Sequence, residues 1–279
     1  MLYIRPMTGT DVALGMYLKN QAGWNQTEAD WRRFLHLEPN GCFVALLDDR
    51  PVGTATTCVF DSVGWIGMLL VEPAVRGRGL GTRLMEHCLK HLAERGVPTV
   101  RLDATPLGRP IYEKLGFVVE YELLRMEGVA SGGVWHPDVG PVTAEQLDRV
   151  LDLDLNVRGT NRHRLIRRLY DERPEAMRAF VAGDRIVGYM TSRRGANATQ
   201  IGPAVSTSAE AGRALADVAL RYCIGQRIFI DIPTANAPAV DWARSRGLSV
   251  QRPLMRMRRG QPVDDRPASQ WASSGPEKG

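Results

Sequence analysis

The chain has 279 residues, 44% of them hydrophobic, with 36 Lys and Arg against 31 Asp and Glu, giving a formal charge of +5. That length is enough for a substantial core and most naturally divides into two domains. No apolar run approaches the roughly 20 residues a bilayer span needs, and Met1-Leu2-Tyr3-Ile4-Arg5-Pro6 is too broken for a signal-peptide core, so a cytoplasmic location without membrane contact is expected. Cys42, Cys58, Cys88 and Cys223 lack metal-ligand spacing and lie inside apolar patterns, which points to buried thiols and to neither disulfides nor a metal site.

Leu2 to Arg5 reads as a strand. Thr8-Gly-Thr-Asp11 caps a helix reaching about Gln21, and a second helix covers about Thr27 to Leu37, stopping before Pro39. Gly41 to Leu47, the turn Asp48-Asp49-Arg50 and Pro51 to Phe60 predict an antiparallel hairpin, followed by a strand from about Trp65 to Val71. A short turn then leads into Arg76-Gly77-Arg78-Gly79-Leu80-Gly81-Thr82 at the start of an amphipathic helix, in which Leu80, Leu84, Cys88 and Leu92 form one stripe with Met85 and Leu89 beside it. His87 and His91 share the other side. Their i, i+4 spacing could bind a metal, but no third ligand is near, so surface histidines are expected. Thr99 to Asp103 is the next strand.

The glycine loop predicts a pyrophosphate cradle. Glycines keep side chains away from the backbone and permit positive φ, while the unpaired N–H groups and dipole of the following helix favour an anion. A P-loop is excluded, because Gly81 is followed by Thr82-Arg83 where Lys-Ser/Thr would be required. A Rossmann dinucleotide site gains support from Asp103, about 20 residues past the glycines, where a ribose-binding carboxylate would sit. Against it stand Thr82 at the third small position, the Glu72 to Val75 turn, and a hairpin upstream where a doubly wound sheet would not begin with one.

Strand, Arg-Gly-x-Gly-x-Gly, helix, strand and then Pro110-Ile111-Tyr112-Glu113-Lys114-Leu115-Gly116-Phe117 resembles the GNAT superfamily of acyl-CoA-dependent N-acetyltransferases over roughly residues 1 to 127. The resemblance implies a mixed α/β sheet, acetyl-CoA as acyl donor and a small-molecule amine as acceptor. It implies that Leu69, Leu70 and Val71 pair with the pantetheine arm and that Arg76, Gly77, Arg78, Gly79, Leu80, Gly81 and Thr82 hold the pyrophosphate. Tyr112 would protonate the departing thiolate, its reference pKa of ~10 lying near the ~8.5 of a thiol. Where many members of the family carry an Asn seven residues before the tyrosine, this chain has Thr105, whose hydroxyl could still contact that arm. Asp103 is a base or cation-binding candidate and equally a turn residue, with Asp61, Glu28 and Asp30 behind it. Trp24 and Asn25 fall where such folds place acceptor-binding loops.

Gly128 to Gly140 reads as a linker to a second domain, 141 to 259, that repeats the first. An ungapped alignment of Ile111–Met126 with Trp242–Met257 pairs Gly116 with Gly247, Leu123 with Leu254, and Arg125 with Arg256. Ala179 to Arg193, Gln200 to Val205 and the helix at about Ala209 to Tyr222 keep the order of elements. The chemistry is lost: Ser206-Thr-Ser-Ala-Glu-Ala211 stands where the glycines were, Ala243 where Tyr112 was, and Asn236 beside Pro238 reads as a turn or helix cap. The tail from about Gly260 is rich in Pro, Ser, Asp and Gly and is expected to be disordered.

Arg158, Arg162, Arg164, Arg167 and Arg168 form a stripe expected to be a solvated face. No aromatic residues alternate with them as a base-stacking surface would require, so no nucleic acid is expected. Monomer and homodimer both remain open. The leading function is an N-acetyltransferase; the alternatives are a non-catalytic acyl-CoA-binding or interaction module and the Rossmann-type dinucleotide protein.

Overall fold

The computed structural model describes all 279 residues. In chain order the first half carries β1 (Leu2–Pro6), α1 (Val12–Gln21), α2 (Glu28–Leu37), β2 (Cys42–Leu47), β3 (Arg50–Phe60), β4 (Val63–Val71), α3 (Leu80–Glu94), β5 (Thr99–Ala104), α4 (Arg109–Lys114) and β6 (Val118–Val129). The second half follows with β7 (Val139–Pro141), α5 (Leu147–Arg158), α6 (His163–Glu172), β8 (Arg178–Ala182), β9 (Arg185–Arg193), β10 (Thr199–Ser206), α7 (Ala209–Tyr222), β11 (Arg227–Pro233), α8 (Ala237–Ser245), β12 (Ser249–Gly260) and β13 (Gln270–Ala272). No helix is long and apolar enough to cross a membrane.

Local chemistry sets the ends of these elements. Thr8 with Asp11 and Thr27 with Asp30 each form a reciprocal cap, the carboxylate reaching back to the threonine N–H at 2.8 and 2.9 Å. Asp48 and Asp49 both take positive φ, as a two-residue hairpin turn demands. The α3 stripe of Leu80, Leu84, Met85, Cys88, Leu89 and Leu92 is buried, and it packs with Ile66, Val100 and Leu102 of the sheet. His87 and His91 lie edge-on to Phe43, with ring centroids 4.5 and 5.2 Å away.

The sheet runs β1-β2-β3-β4-β5-β12-β6-β11-β10-β9-β8-β7, with β13 added on β10. β1 to β4 are antiparallel neighbours, and only β4–β5 and β10–β11 pair in parallel. This mixed sheet overturns the Rossmann alternative, which needs a parallel doubly wound sheet.

The two halves exchange strands. β12, from the second half, pairs with β5 of the first, while β6 pairs with β11 of the second, and β6 and β12 run antiparallel side by side with Leu123 opposite Leu254. Residues 118–129 and 249–260 therefore each complete the other half's sheet, so the simple division at 127 and 141 does not describe the packing. Two counterpart ion pairs fasten the exchange. Arg256 on β12 holds both oxygens of Asp103 on β5 at 2.8 Å, and Arg125 on β6 holds Asp231 on β11 at 2.7 and 2.8 Å.

The tail is ordered, contrary to its composition. Gln270–Ala272 pairs with β10, Trp271 is 2% exposed, and Ser273, Ser274, Glu277 and Lys278 are buried. Glu277 meets Arg193 at 3.1 Å and Lys278 at 2.5 Å, and Arg162 donates to the Gly279 carbonyl. The polar residues that suggested disorder are consumed by these partners. The arginine stripe is a solvated face only in part: Arg164 and Arg167 are exposed and Arg168 half-exposed, whereas Arg158 and Arg162 are buried and Arg162 pairs with Asp154 at 2.7 Å.

These pairs predict a steep acid limit. Cationic neighbours hold Asp30, Asp154, Asp265 and Glu277 below the usual carboxylate range against the opposing effect of burial, and Arg5 holds Asp11 at about 2. A depressed folded pKa gives stabilisation that is complete above the unfolded value of ~4 and is lost as pH falls toward the folded value. Calorimetric Tm should therefore hold from pH 7 to about 5 and drop progressively below about 4. A Tm that stays flat to pH 3 would contradict these pairings.

Candidate active site

β4 leaves the sheet through a single helical turn at Pro73–Val75 and an extended Arg76. Gly77 and Gly79 follow at φ +77° and +75°, Gly79 being the residue that caps α3, whereas Gly81 is already helical. A Cβ at Gly77 or Gly79 would meet nothing within 4 Å, so the backbone conformation, and not crowding, calls for glycine. The first-turn N–H groups of α3 have no partner within the helix and point along its dipole, which makes this end an anion site. Arg76 donates from Nε to the Val71 carbonyl at 3.0 Å, and Arg78 is exposed.

β4 and β5 pair only from Val63 to Trp65 and then diverge, leaving the later part of β4 with an open edge. The divergence coincides with a register shift against β3 and with Met68 at φ +51°, whose carbonyl accepts from Thr54 Oγ1 at 3.0 Å. A methionine in the left-handed region is uncommon and costs energy, and such strain collects at functional sites. The open edge borders a groove of about 670 Å³ that runs from the glycine loop past Leu69, Leu70 and Val71 to Thr105, Ile111 and Tyr112.

A smaller cavity of about 190 Å³ meets this groove end to end, and Trp24, Leu69, Thr105 and Tyr112 line both. Its far wall comes from Gln26, from Arg125 and Arg252 on the exchanged strands, and from Pro276 and Glu277 of the tail. Tyr112 stands at the junction, its ring edge-on to Phe117 with centroids 6.0 Å apart and close to Gly108. Burial alone pushes its phenol up to about 12, so it carries its proton at any working pH. The Thr105 hydroxyl accepts from Gly108 N–H at 3.3 Å, which leaves its own proton to donate into the groove.

Of the residues expected from sequence, the glycine loop, Leu69–Val71, Thr105, Tyr112 and Trp24 are brought together here. Asp103 borders the small cavity, but its side chain is 0% exposed and each of its oxygens accepts from Arg256, so its charge is paired and its carboxylate is enclosed away from an incoming amine. Asn25 is also diverted: it is buried, and its amide bonds Asn197 and Ala198 of the other half at 2.9 to 3.0 Å. Asp61 accepts from Asn161 N–H, Glu28 pairs with Arg32 and Asp30 with Arg33, none of them in either cavity. Gln26 lines the cavity from the same loop as Trp24, whereas Arg252 and Glu277 escaped the sequence reading, because they reach the cavity only through strand exchange and the path of the tail.

The sequence profile of the Acetyltransferase (GNAT) family matches residues 14–117, and that of an Acetyltransferase (GNAT) domain matches residues 150–272. The chain belongs to the GNAT superfamily. It is an acyl-CoA-dependent N-acyltransferase built as two GNAT domains in tandem. A holothin acyltransferase from Pseudoalteromonas sp. is 29% identical over 242 residues, which span 85% of this chain and 81% of that protein. A mycothiol acetyltransferase from Thermomonospora curvata is 39% identical over 84 residues, 29% of this chain and 28% of the relative. The crystal structure of a proposed acetyltransferase from Pyrococcus horikoshii superposes with a TM-score of 0.86 at 25% identity, covering 100% of this chain and 96% of that one.

The second GNAT domain has its matching groove filled by its own chain. Gly53 faces Val71 in the first domain as Gly188 faces Ser206 in the second, so Leu69–Val71 corresponds to Ala204–Ser206. β13 pairs with this stretch at Ala204 and Val205. Leu84 packs on Gly53 and Leu215 on Gly188, which makes Gly212 the counterpart of Gly81. The indole of Trp271 lies so close to Gly212 that a Cβ there would sit 1.9 Å from it. Asn236 caps α8 through Ala239 N–H, and its amide also donates to the Gln270 carbonyl at 3.1 Å. At the position where GNAT relatives carry the asparagine expected to touch pantetheine, the second domain grips its own tail.

Proposed function

We propose that this chain transfers an acetyl or other short acyl group from acyl-CoA to the primary amine of a small molecule, using the first GNAT domain alone. The observation that carries the reading is Tyr112 at the meeting point of the long groove and the small cavity. Two left-handed glycines ahead of a 15-residue helix suit a pyrophosphate, and the open edge of Leu69–Val71 suits the amides of a pantetheine arm. Bound acyl-CoA supplies an acyl group already activated as a thioester. The amine enters neutral through the small cavity and attacks the acyl carbon directly, and Tyr112 Oη gives its proton to the departing sulfur.

Burial modifies the part played by Tyr112. Against a thiol in water, pKa ~8.5, a phenol at about 12 would give up its proton uphill. The gap narrows when the sulfur leaves into the same desolvated junction, because burial raises thiol and phenol alike. Until then Tyr112 stabilises negative charge on sulfur as a hydrogen-bond donor. With Asp103 held by Arg256, the proton lost by the amine passes to solvent water.

A cavity of about 190 Å³ lies below the roughly 300–1,000 Å³ of pockets for drug-sized ligands, which favours a small acceptor. The holothin acyltransferase likeness over most of both chains supports a small molecule as well. Thiol release from acetyl-CoA, screened against amino acids, polyamines, aminoglycosides and peptide N-termini, tests the reading. Turnover with a small amine is expected; a blank panel together with tight CoA binding would favour a non-catalytic acyl-CoA-binding protein.

A further inference from the structure

The small cavity has a charge it does not balance. Asp103 is neutralised by Arg256, Glu277 by Arg193 and Lys278, and Arg125 by Asp231. Arg252 lies directly across from Arg125 on the neighbouring strand and forms no ion pair with any carboxylate. Its Nε is buried without a hydrogen-bond partner. The sheet takes trouble to place it there: a register shift between Val250 and Arg252 sends Gln251 outward to Glu127 and Arg252 to the cavity wall. A partly desolvated guanidinium beside another arginine is costly unless a counter-charge arrives with a ligand.

A second polar atom is orphaned on the same wall. Gln26 Nε2 donates to Glu277 at 3.1 Å, but Gln26 Oε1 is buried and accepts from nothing. Both of these atoms are enclosed by protein, and what the wall offers a ligand is the pair of terminal nitrogens of Arg252, which make no hydrogen bond within the chain and call for an anionic group.

We infer that the acceptor is an amine bearing a carboxylate, which the terminal nitrogens of Arg252 bind. The assignment rests on the transfer reading above and narrows its substrate class. An amino acid of this kind becomes N-acylated: the C–N bond forms as the C–S bond of the thioester breaks, with one proton leaving nitrogen and one reaching sulfur.

The test compares glycine, β-alanine and 4-aminobutyrate with their primary amides, acetyl-CoA as donor, and rates corrected for the neutral amine fraction. The wild-type protein should favour the carboxylates in kcat/KM by about 10- to 100-fold, the range for one hydrogen bond to a charged group. Arg252→Gln should bring that ratio close to one, chiefly by raising KM for the carboxylates, and Arg252→Lys should restore part of it, since a point charge keeps the attraction without the fork. No preference in the wild type, or an undiminished preference in Arg252→Gln, overturns the inference. If no amine releases thiol, the transfer reading fails on its own account. Arg252 is then judged by calorimetric binding of the same carboxylates and amides to the CoA-saturated protein, where equal binding to wild type and Arg252→Gln overturns the assignment.

Discussion

Tyr112→Phe lowers kcat by about 100-fold or more and leaves the Kd for CoA within about twofold of wild type. The magnitude is the lower range for loss of a positioned general acid. The split follows from where the hydroxyl stands: the ring lines the groove and stays in the variant, while the lost oxygen is the proposed proton donor at the junction of the two cavities. Burial holds the phenol at about 12, so the wild-type rate should climb with deprotonation of the amine and show no falling limb from the phenol below about pH 11. Stopped or steady-state thiol release over pH 6 to 10 checks both points. An unaltered kcat in Tyr112→Phe would remove Tyr112 from the chemistry, and a fall in CoA affinity of the same size as the fall in rate would make it a binding residue instead.

Arg256→Met should be the most destabilising single change near the site, at about 3–5 kcal/mol, because it leaves the Asp103 carboxylate buried and unpaired. Arg256 also donates to Tyr121 Oη at 2.9 Å and lies 4.7 Å above the Trp65 ring, so its loss reaches the centre of the exchanged strands. The double variant Asp103→Leu/Arg256→Met should recover much of the deficit, since two apolar residues leave no buried charge. Denaturant midpoints on the two variants measure this. The double variant also decides what Asp103 does: retained acyl transfer makes it a structural anchor, whereas a folded but inactive double variant would return it to the role of base. A neutral Arg256→Met would contradict the ion pair altogether.

Much of the first domain was legible because its signals are local. The hairpin turn at Asp48-Asp49, the α3 stripe, Gly77 and Gly79 ahead of a helix and Tyr112 ahead of Gly116-Phe117 each announce themselves within a few residues, and Gly77, Gly79 and Tyr112 line one groove. Strand exchange has no local signal. β6 and β12 match at Val119/Val250, Leu123/Leu254, Arg125/Arg256 and Met126/Met257, so at these positions either strand offers either sheet the same side chains and the pattern cannot say which sheet receives it.

The fate of Asp103 depended on that choice, since its partner arrives on β12. Asn25 was misassigned for a related reason: its partners at Asn197 and Ala198 belong to the other half of the chain. The tail offered one clue, Trp271 in an otherwise polar stretch. A tryptophan is rarely left in water without cause. The vacant groove of the second domain, already visible in its lost glycines, is where that residue packs.

The account rests most heavily on a single cofactor site in a chain with two copies of the fold. Calorimetric titration with acetyl-CoA tests it most directly, run on the wild-type protein and on Gly79→Val, in which a β-branched residue must adopt φ near +75° at the cap of α3. One equivalent bound per chain, with binding abolished in Gly79→Val and the fold intact by circular dichroism, is the result expected. Two equivalents per chain, or undiminished binding in Gly79→Val, would contradict it.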